Sequence, residues 1–203
     1  MLGRHEVLWE EREMKRLTIL MALAACLALM VSARQAAQQP ATQQPAQTEA
    51  NPVSAAVRSN LERNSKSIVA AVDEMPADKF SYRPTPEQIT FGHLVMHMAT
   101  SNFRLCSAIS GTEAPKMDEL KEADPKEKLA GALKSSFDFC TQALAKTDDS
   151  KLGEVVLTRG NFSLTRAAAM IALTNDFADH YSGAAMYLRL NGLLPPTAQP
   201  KKQ

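Results

Sequence analysis

The sequence predicts an all-α protein, a four-helix bundle preceded by an export signal and a linker. Three observations carry this reading. Four segments repeat apolar residues at helical spacing. Gly is scarce at 8 residues and aromatics make up 5%, which disfavours a strand-and-turn protein. Prolines and capping residues fall between the periodic segments rather than inside them. Four helices that each carry one apolar stripe cannot bury those stripes singly, and a bundle is the economical solution.

The first helix spans about 53–74, with Val57, Leu61, Ile68, Val72 and Met75 on one face, and Pro76 stops it. The loop DKFSYRPTPEQ follows, where Pro84 and Pro86 exclude a helix. Thr90 is the expected N-cap of the second helix, which runs to about Ser110 and ends at Gly111. The third starts at Asp124-Pro125, read as an N-cap followed by Pro at the first helical position, and carries Leu129, Leu133, Phe137, Cys140 and Leu144. The fourth follows Ser163 as N-cap, carries Met170, Phe177, Tyr181, Ala184 and Leu188, and ends at Asn191-Gly192 before Pro195 and Pro196. The stretch between helices two and three has room for a crossover rather than a tight hairpin. The segment LGEVVLTRGNF reads either as a short extended piece or as a long loop.

The ends have a different character. Lys15 and Arg16 precede the apolar run Leu17–Val31, which closes in Val-Ser-Ala at Ala33, the pattern of a cleaved signal peptide over residues 1–33. Met14 followed by Lys-Arg makes a cleaner start than residues 1–13, where acids and bases cancel. The run is too short and too early for the alternative, an uncleaved membrane anchor, to be preferred. A lipoprotein signal ending at Cys26 is disfavoured because the apolar stretch continues past it. Residues 34–52 are a Gln/Ala/Pro-rich linker with almost no large apolar residues, and residues 197–203 read as a tail. The folded domain therefore covers 53–196, and the protein is expected to be exported, periplasmic or secreted, with no stable membrane span after cleavage.

With 203 residues, 45% hydrophobic and 22% charged, and a formal net charge of +1, the chain can build one ordinary core. No Lys/Arg block is long enough to neutralise several phosphates, so nucleic acid is excluded as a partner. Of the three cysteines, Cys26 leaves with the signal. Cys106 and Cys140 each lie on an apolar helix face. Two such thiols in an exported protein can pair, but free Cys commonly behaves as a small buried hydrophobe, and two unpaired core cysteines are the preferred reading.

Candidate chemistry centres on histidine. His93 and His97 lie four positions apart in TFGHLVMHMATSN, a spacing that offers two imidazoles to one ion. On a wheel at about 100° per residue they are not equivalent. Phe91, Leu94, Val95, Met98, Leu105, Cys106 and Ile109 form the apolar arc. His97 sits on its rim, and His93 falls about 40° further out, near Arg104 and Thr100. In the fourth helix His180 is the rim residue and Asp176 lies one turn before it, while Asp179 turns to solvent. Gly183 and Ala184 are small, and would leave room over the next turn for a ligand or water. Two imidazoles and a carboxylate from facing helices suit Zn²⁺, Fe²⁺, Ni²⁺ or Mn²⁺. The bland alternative is a pair of rim histidines bonded to polar neighbours, with Asp176 a solvated charge.

The runs KFSYRPTPEQITFGHLVMHMATSN and NDFADHYSGAAMYLRLNGLLPP resemble the DinB-like (DinB/YfiT-like) superfamily of four-helix bundles. The resemblance covers about residues 53–196. It rests on the Pro-rich approach to helix two, the T-F-G-H-L-x-x-H turn, and the D-H-Y-x-G block leading into Y-L-R-L-N-G-x-x-P-P. It implies a divalent-metal site made by one histidine of helix two and an H-x-x-x-H pair of the last helix. By position these are His97, Asp176 and His180, with Asp176 standing where the pattern has His. The resemblance also implies metal-dependent hydrolysis, thiol transfer or isomerisation of a small molecule. Export disfavours thiol transfer, because small-thiol cofactors are kept reduced in the cytosol. The expectation is therefore a metal-dependent hydrolase of unknown substrate; His93 is a candidate to orient a ligand or shuttle a proton, with a solvated helix residue the preferred reading. The alternative is a non-catalytic exported binding module with a degenerate metal site. Homodimerisation stays open.

Overall fold

The computed structural model describes residues 50–200. The expected signal peptide and cleavage site, nearly all of the expected linker and the last three residues lie outside the described residues. Four helices form the body: α1 (Pro52–Glu74), α2 (Phe91–Ser110), α3 (Lys126–Leu144) and α4 (Arg166–Leu190). An antiparallel hairpin, β1 (Val155–Arg159) and β2 (Phe162–Thr165), precedes α4, so the LGEVVLTRGNF segment is extended. Gly160 sits in its turn at φ 59°, a conformation that costs glycine little. Among the described residues no helix is long and apolar enough to cross a membrane.

Side-chain contacts give the direction of each helix. Asn102 meets Ser136 and Cys106 meets Cys140, so α2 and α3 run parallel. His97 and Leu94 meet Asp176 and Gly183, and Tyr187 bonds to Ile89, so α2 and α4 are antiparallel. Arg58 reaches Leu144 and Thr147 while Asp73 pairs with Lys134, which makes α1 and α3 antiparallel. The order is up-down-down-up. Residues 111–125 must therefore return along the bundle from the end of α2 to the start of α3, which is the crossover the sequence left room for. Where that segment passes α2, a Cβ on Gly92 would collide with the Glu122 carbonyl, so only glycine admits the approach.

The core is the sum of the predicted stripes. Ile68, Phe91, Leu129, Leu133, Leu173 and Leu188 are almost fully buried. Thr90 caps α2, its hydroxyl accepting the His93 N–H at 3.0 Å, and Gly111 closes that helix at φ 74°. A cap distant in sequence holds α1: the Asp149 carboxylate accepts the N–H groups of Val53 and Ser54, both at 2.8 Å.

Three sequence readings are corrected. Ser163 does not cap α4, because it is paired with Thr158 in the hairpin; Thr165 caps it instead, accepting the Ala168 N–H at 3.3 Å. Asp124 does not cap α3, because its carboxylate turns back to the Lys121 N–H at 2.8 Å and pairs with Lys128, and the helix begins at Lys126. Cys106 and Cys140 are not free core thiols but a disulfide, with Cα atoms 5.2 Å apart. Parallel packing of α2 and α3 brings two apolar-face positions into register, which neither stripe shows by itself. Beyond α4 the chain makes a 3₁₀ turn at Pro196–Ala198, tied back by the Tyr181 hydroxyl donating to Thr197 Oγ1 at 2.8 Å, where the sequence suggests only a tail from residue 197.

Candidate metal centre

α2 and α4 face each other antiparallel, which sets the middle of one beside the middle of the other. There the fold brings together His97, Asp176 and His180. One donor atom from each lies within 4.8 Å of the other two. Asp176 Oδ1 is 4.0 Å from His97 Nε2 and 3.5 Å from His180 Nδ1. The two imidazoles lie stacked, with ring centroids 4.8 Å apart.

Local helix geometry orients each group. The His180 Nδ1–H donates to the Asp176 carbonyl one turn earlier at 2.6 Å. A carbonyl only accepts, so this bond fixes the proton on Nδ1 and leaves the Nε2 lone pair available. Asp176 is largely buried, with its side chain 19% exposed, and its Oδ2 has no hydrogen-bond partner among the described residues. His97 is the open member, its side chain 45% exposed, so the centre has a solvent side.

The electrostatics are those of a site that has charge to accommodate. Burial holds the Asp176 carboxyl above the usual carboxylate range, against the pull of His180 and His97. Burial, followed by the proximity of His180, holds His97 below the usual imidazole range, while Asp176 acts the other way. Both directions favour neutral side chains without a cation. A divalent ion inverts that preference, because it favours the carboxylate and two unprotonated imidazoles. The donor set fits such an ion: two nitrogens, one carboxylate and an orphaned buried oxygen. Donors that share one ion at about 2.1 Å stand about 3–3.5 Å apart in tetrahedral or octahedral geometry, so a trio spread within 4.8 Å draws in by up to about 1.5 Å around it.

Not every sequence expectation falls here. His93 lies outside the trio: its Nδ1 is 2.9 Å from Glu122 Oε2, pinning the crossover to α2. Gly183 and Ala184 leave no room for a ligand. Leu94 Cδ atoms stand 3.7 and 3.9 Å from where a Gly183 Cβ would be, and Ala184 is fully buried. Sequence reasoning missed Ser101, which is buried with Oγ 3.3 Å from His97 Nε2. Its position four residues after His97 is a signal that was there to find. Glu122 carries no such signal, since it lies in a loop 29 residues from its partner.

The comparisons agree with this architecture. The family model described as the DinB superfamily matches residues 60–181. A DinB-like protein from Bacillus subtilis superposes with a TM-score of 0.58 at 17% identity, covering 72% of this chain and 99% of that one. One from Bacillus cereus gives 0.57 at 15% identity, covering 69% and 93%. A conserved protein from Enterococcus faecalis gives 0.55 at 18% identity, covering 67% and 95%. At such identities the structures share the fold. No curated protein matches the chain. The family model spans more than half of the sequence, and the chain belongs to the DinB superfamily.

Proposed function

We propose that this protein is an exported DinB-like protein that binds one divalent metal through His97, Asp176 and His180 and hydrolyses a small molecule there. The observation that carries the reading is the convergence of three donors within 4.8 Å around a buried carboxylate oxygen with no protein partner. A bound ion would supply Lewis acidity and lower the pKa of water. The chain's own residues do the rest. His180 and Asp176 are held rigid by one turn of α4, and the exposed edge of His97 admits substrate. The Ser101 hydroxyl stands 3.3 Å from His97 Nε2, the nitrogen that faces Asp176, and a bound ion would take its place there.

Two features support export: the Lys15-Arg16 and apolar-run pattern of the N-terminus, and the Cys106–Cys140 disulfide, a bond that persists in oxidising compartments. The mass of the mature N-terminus checks export, with cleavage after Ala33 expected. For the chemistry, the protein is loaded in turn with Zn²⁺, Ni²⁺, Mn²⁺ and Fe²⁺ and assayed on ester and amide panels. Metal-dependent turnover that disappears in His97→Ala and His180→Ala is expected. Stoichiometric metal with no turnover on any panel would instead favour the second reading, a binding module without catalysis. The feature behind that second reading is Asp176, which stands where the superfamily pattern has histidine.

A further inference from the structure

We propose a second ligand site, for a small phosphate-bearing molecule, in a cavity of about 580 Å³ at the end of the bundle where α2 and α3 finish and α4 begins. None of its lining residues belongs to the metal trio. At a rise of about 1.5 Å per residue, Ser110 lies about 20 Å along α2 from His97, and Arg166 about 15 Å along α4 from Asp176.

Three cationic side chains from two segments line this cavity: Lys146 and Lys151 in the loop that joins α3 to the hairpin, and Arg166 at the first position of α4. Among the described residues, neither lysine has a carboxylate within ion-pair distance. Arg166 is mostly buried, its side chain 12% exposed, and it donates to a single acceptor, Glu154, at 3.1 Å through Nη2. Its Nε is buried and has no partner among the described residues. A guanidinium that is buried and so incompletely satisfied needs further acceptor oxygen. The one acid in the lining, Asp148, is turned toward Ser150, taking its N–H at 2.9 Å and its hydroxyl at 2.5 Å. With Arg166 paired to Glu154, the lining keeps two lysines without an ion-pair partner among the described residues, beside one carboxylate turned toward Ser150.

Hydroxyl and amide groups, among them Thr147 and Gln142, complete a polar wall that an apolar ligand would not need. The α4 N-terminus is not the anchor. The N–H groups of Arg166 and Ala167 already bond to the Glu154 and Leu152 carbonyls, and that of Ala168 to Thr165. Recognition therefore falls to side chains of the α3–hairpin loop and of the first residue of α4. That arrangement matches the several oxygens of a phosphate better than the two of a carboxylate. The concave shape favours a free small molecule over a lipid headgroup held in a bilayer.

The test is a ¹⁵N–¹H chemical-shift titration of the purified full chain with inorganic phosphate at constant ionic strength, with succinate as a parallel arm. Saturable shifts around residues 146–151 and 166 are expected, tighter for phosphate than for succinate. The affinity should weaken at least about 10-fold in Lys146→Ala/Lys151→Ala, two exposed positions whose loss leaves the core intact, and stay unchanged in His97→Ala. Four results would overturn the proposal: shifts that never saturate, a double variant that binds as well as wild type, succinate binding as tightly as phosphate, or phosphate binding lost in His97→Ala. Lysine-dependent co-sedimentation with phosphatidylglycerol vesicles in the absence of phosphate binding would overturn it too.

Discussion

Helix α2 has two faces, and its two interfaces obey opposite rules. Against α3 every described feature serves cohesion: the Cys106–Cys140 bond, the Phe103–Phe139 contact, and the buried Asn102 amide donating to Ser136 Oγ at 3.0 Å. Against α4 the packing is tight near the α2 start, where Phe91 and Tyr187 meet, but less than two turns on it gives way to stacked imidazoles beside an oxygen with no partner among the described residues. A buried polar group without a partner subtracts from stability, and this fold keeps one beside two metal-type donors.

The contrast can be broken most strongly from the α3 side. Replacing both cysteines by alanine releases a cross-link over 34 residues of sequence, for which chain entropy gives a loss of about 3–4 kcal/mol in denaturant unfolding. Metal affinity should survive under conditions where the variant remains folded. Gly92→Ala is expected to cost about 1–3 kcal/mol, because the new methyl displaces the crossover at Glu122. Its signature is faster hydrogen exchange in residues 111–125.

Asp176→Asn tests the other face and has the opposite sign. Removing the buried charge should stabilise the metal-free protein by about 1 kcal/mol in thermal or denaturant unfolding while weakening metal binding. A destabilised Asp176→Asn protein would show that the carboxylate is structural.

The smallest effect is a pH dependence, read in metal-free protein. His97 is held below its unfolded value of about 6.5, so the unfolded chain binds the proton better. Its contribution is present above that pH and is lost as pH falls through the lower, folded value. Asp176 is held above its unfolded value of about 3.9, so its contribution is present below that pH and is lost as pH rises through the folded value. His97→Ala should flatten the stability profile in the histidine window and, with the pull of His97 gone, leave Asp176 held higher still.

Much of this was legible in the sequence because it is periodic. The four stripes, the Thr90 cap and the Gly111 stop are local patterns, and the wheel separated His97 from His93 before any contact was known. What periodicity cannot carry is partnership across the bundle. The disulfide depends on α2 and α3 being parallel, and the Asp149 cap and the Glu122 bond to His93 join loops to distant helices. The caps of α3 and α4 were displaced by competing local bonds, since Asp124 and Ser163 each had another partner within a few residues. The room expected over Gly183 was occupied by Leu94, a side chain from the facing helix.

The central claim is that His97, Asp176 and His180 act as one metal site. Titration calorimetry of the chelator-treated protein with Zn²⁺ and Ni²⁺ tests it directly, with the three single alanine variants alongside. The account predicts one tight ion per chain in the wild type and at least a 100-fold loss of affinity in each variant, with His93→Ala close to wild type. Failure to bind either ion, or binding indifferent to Asp176→Ala and His180→Ala, would contradict it.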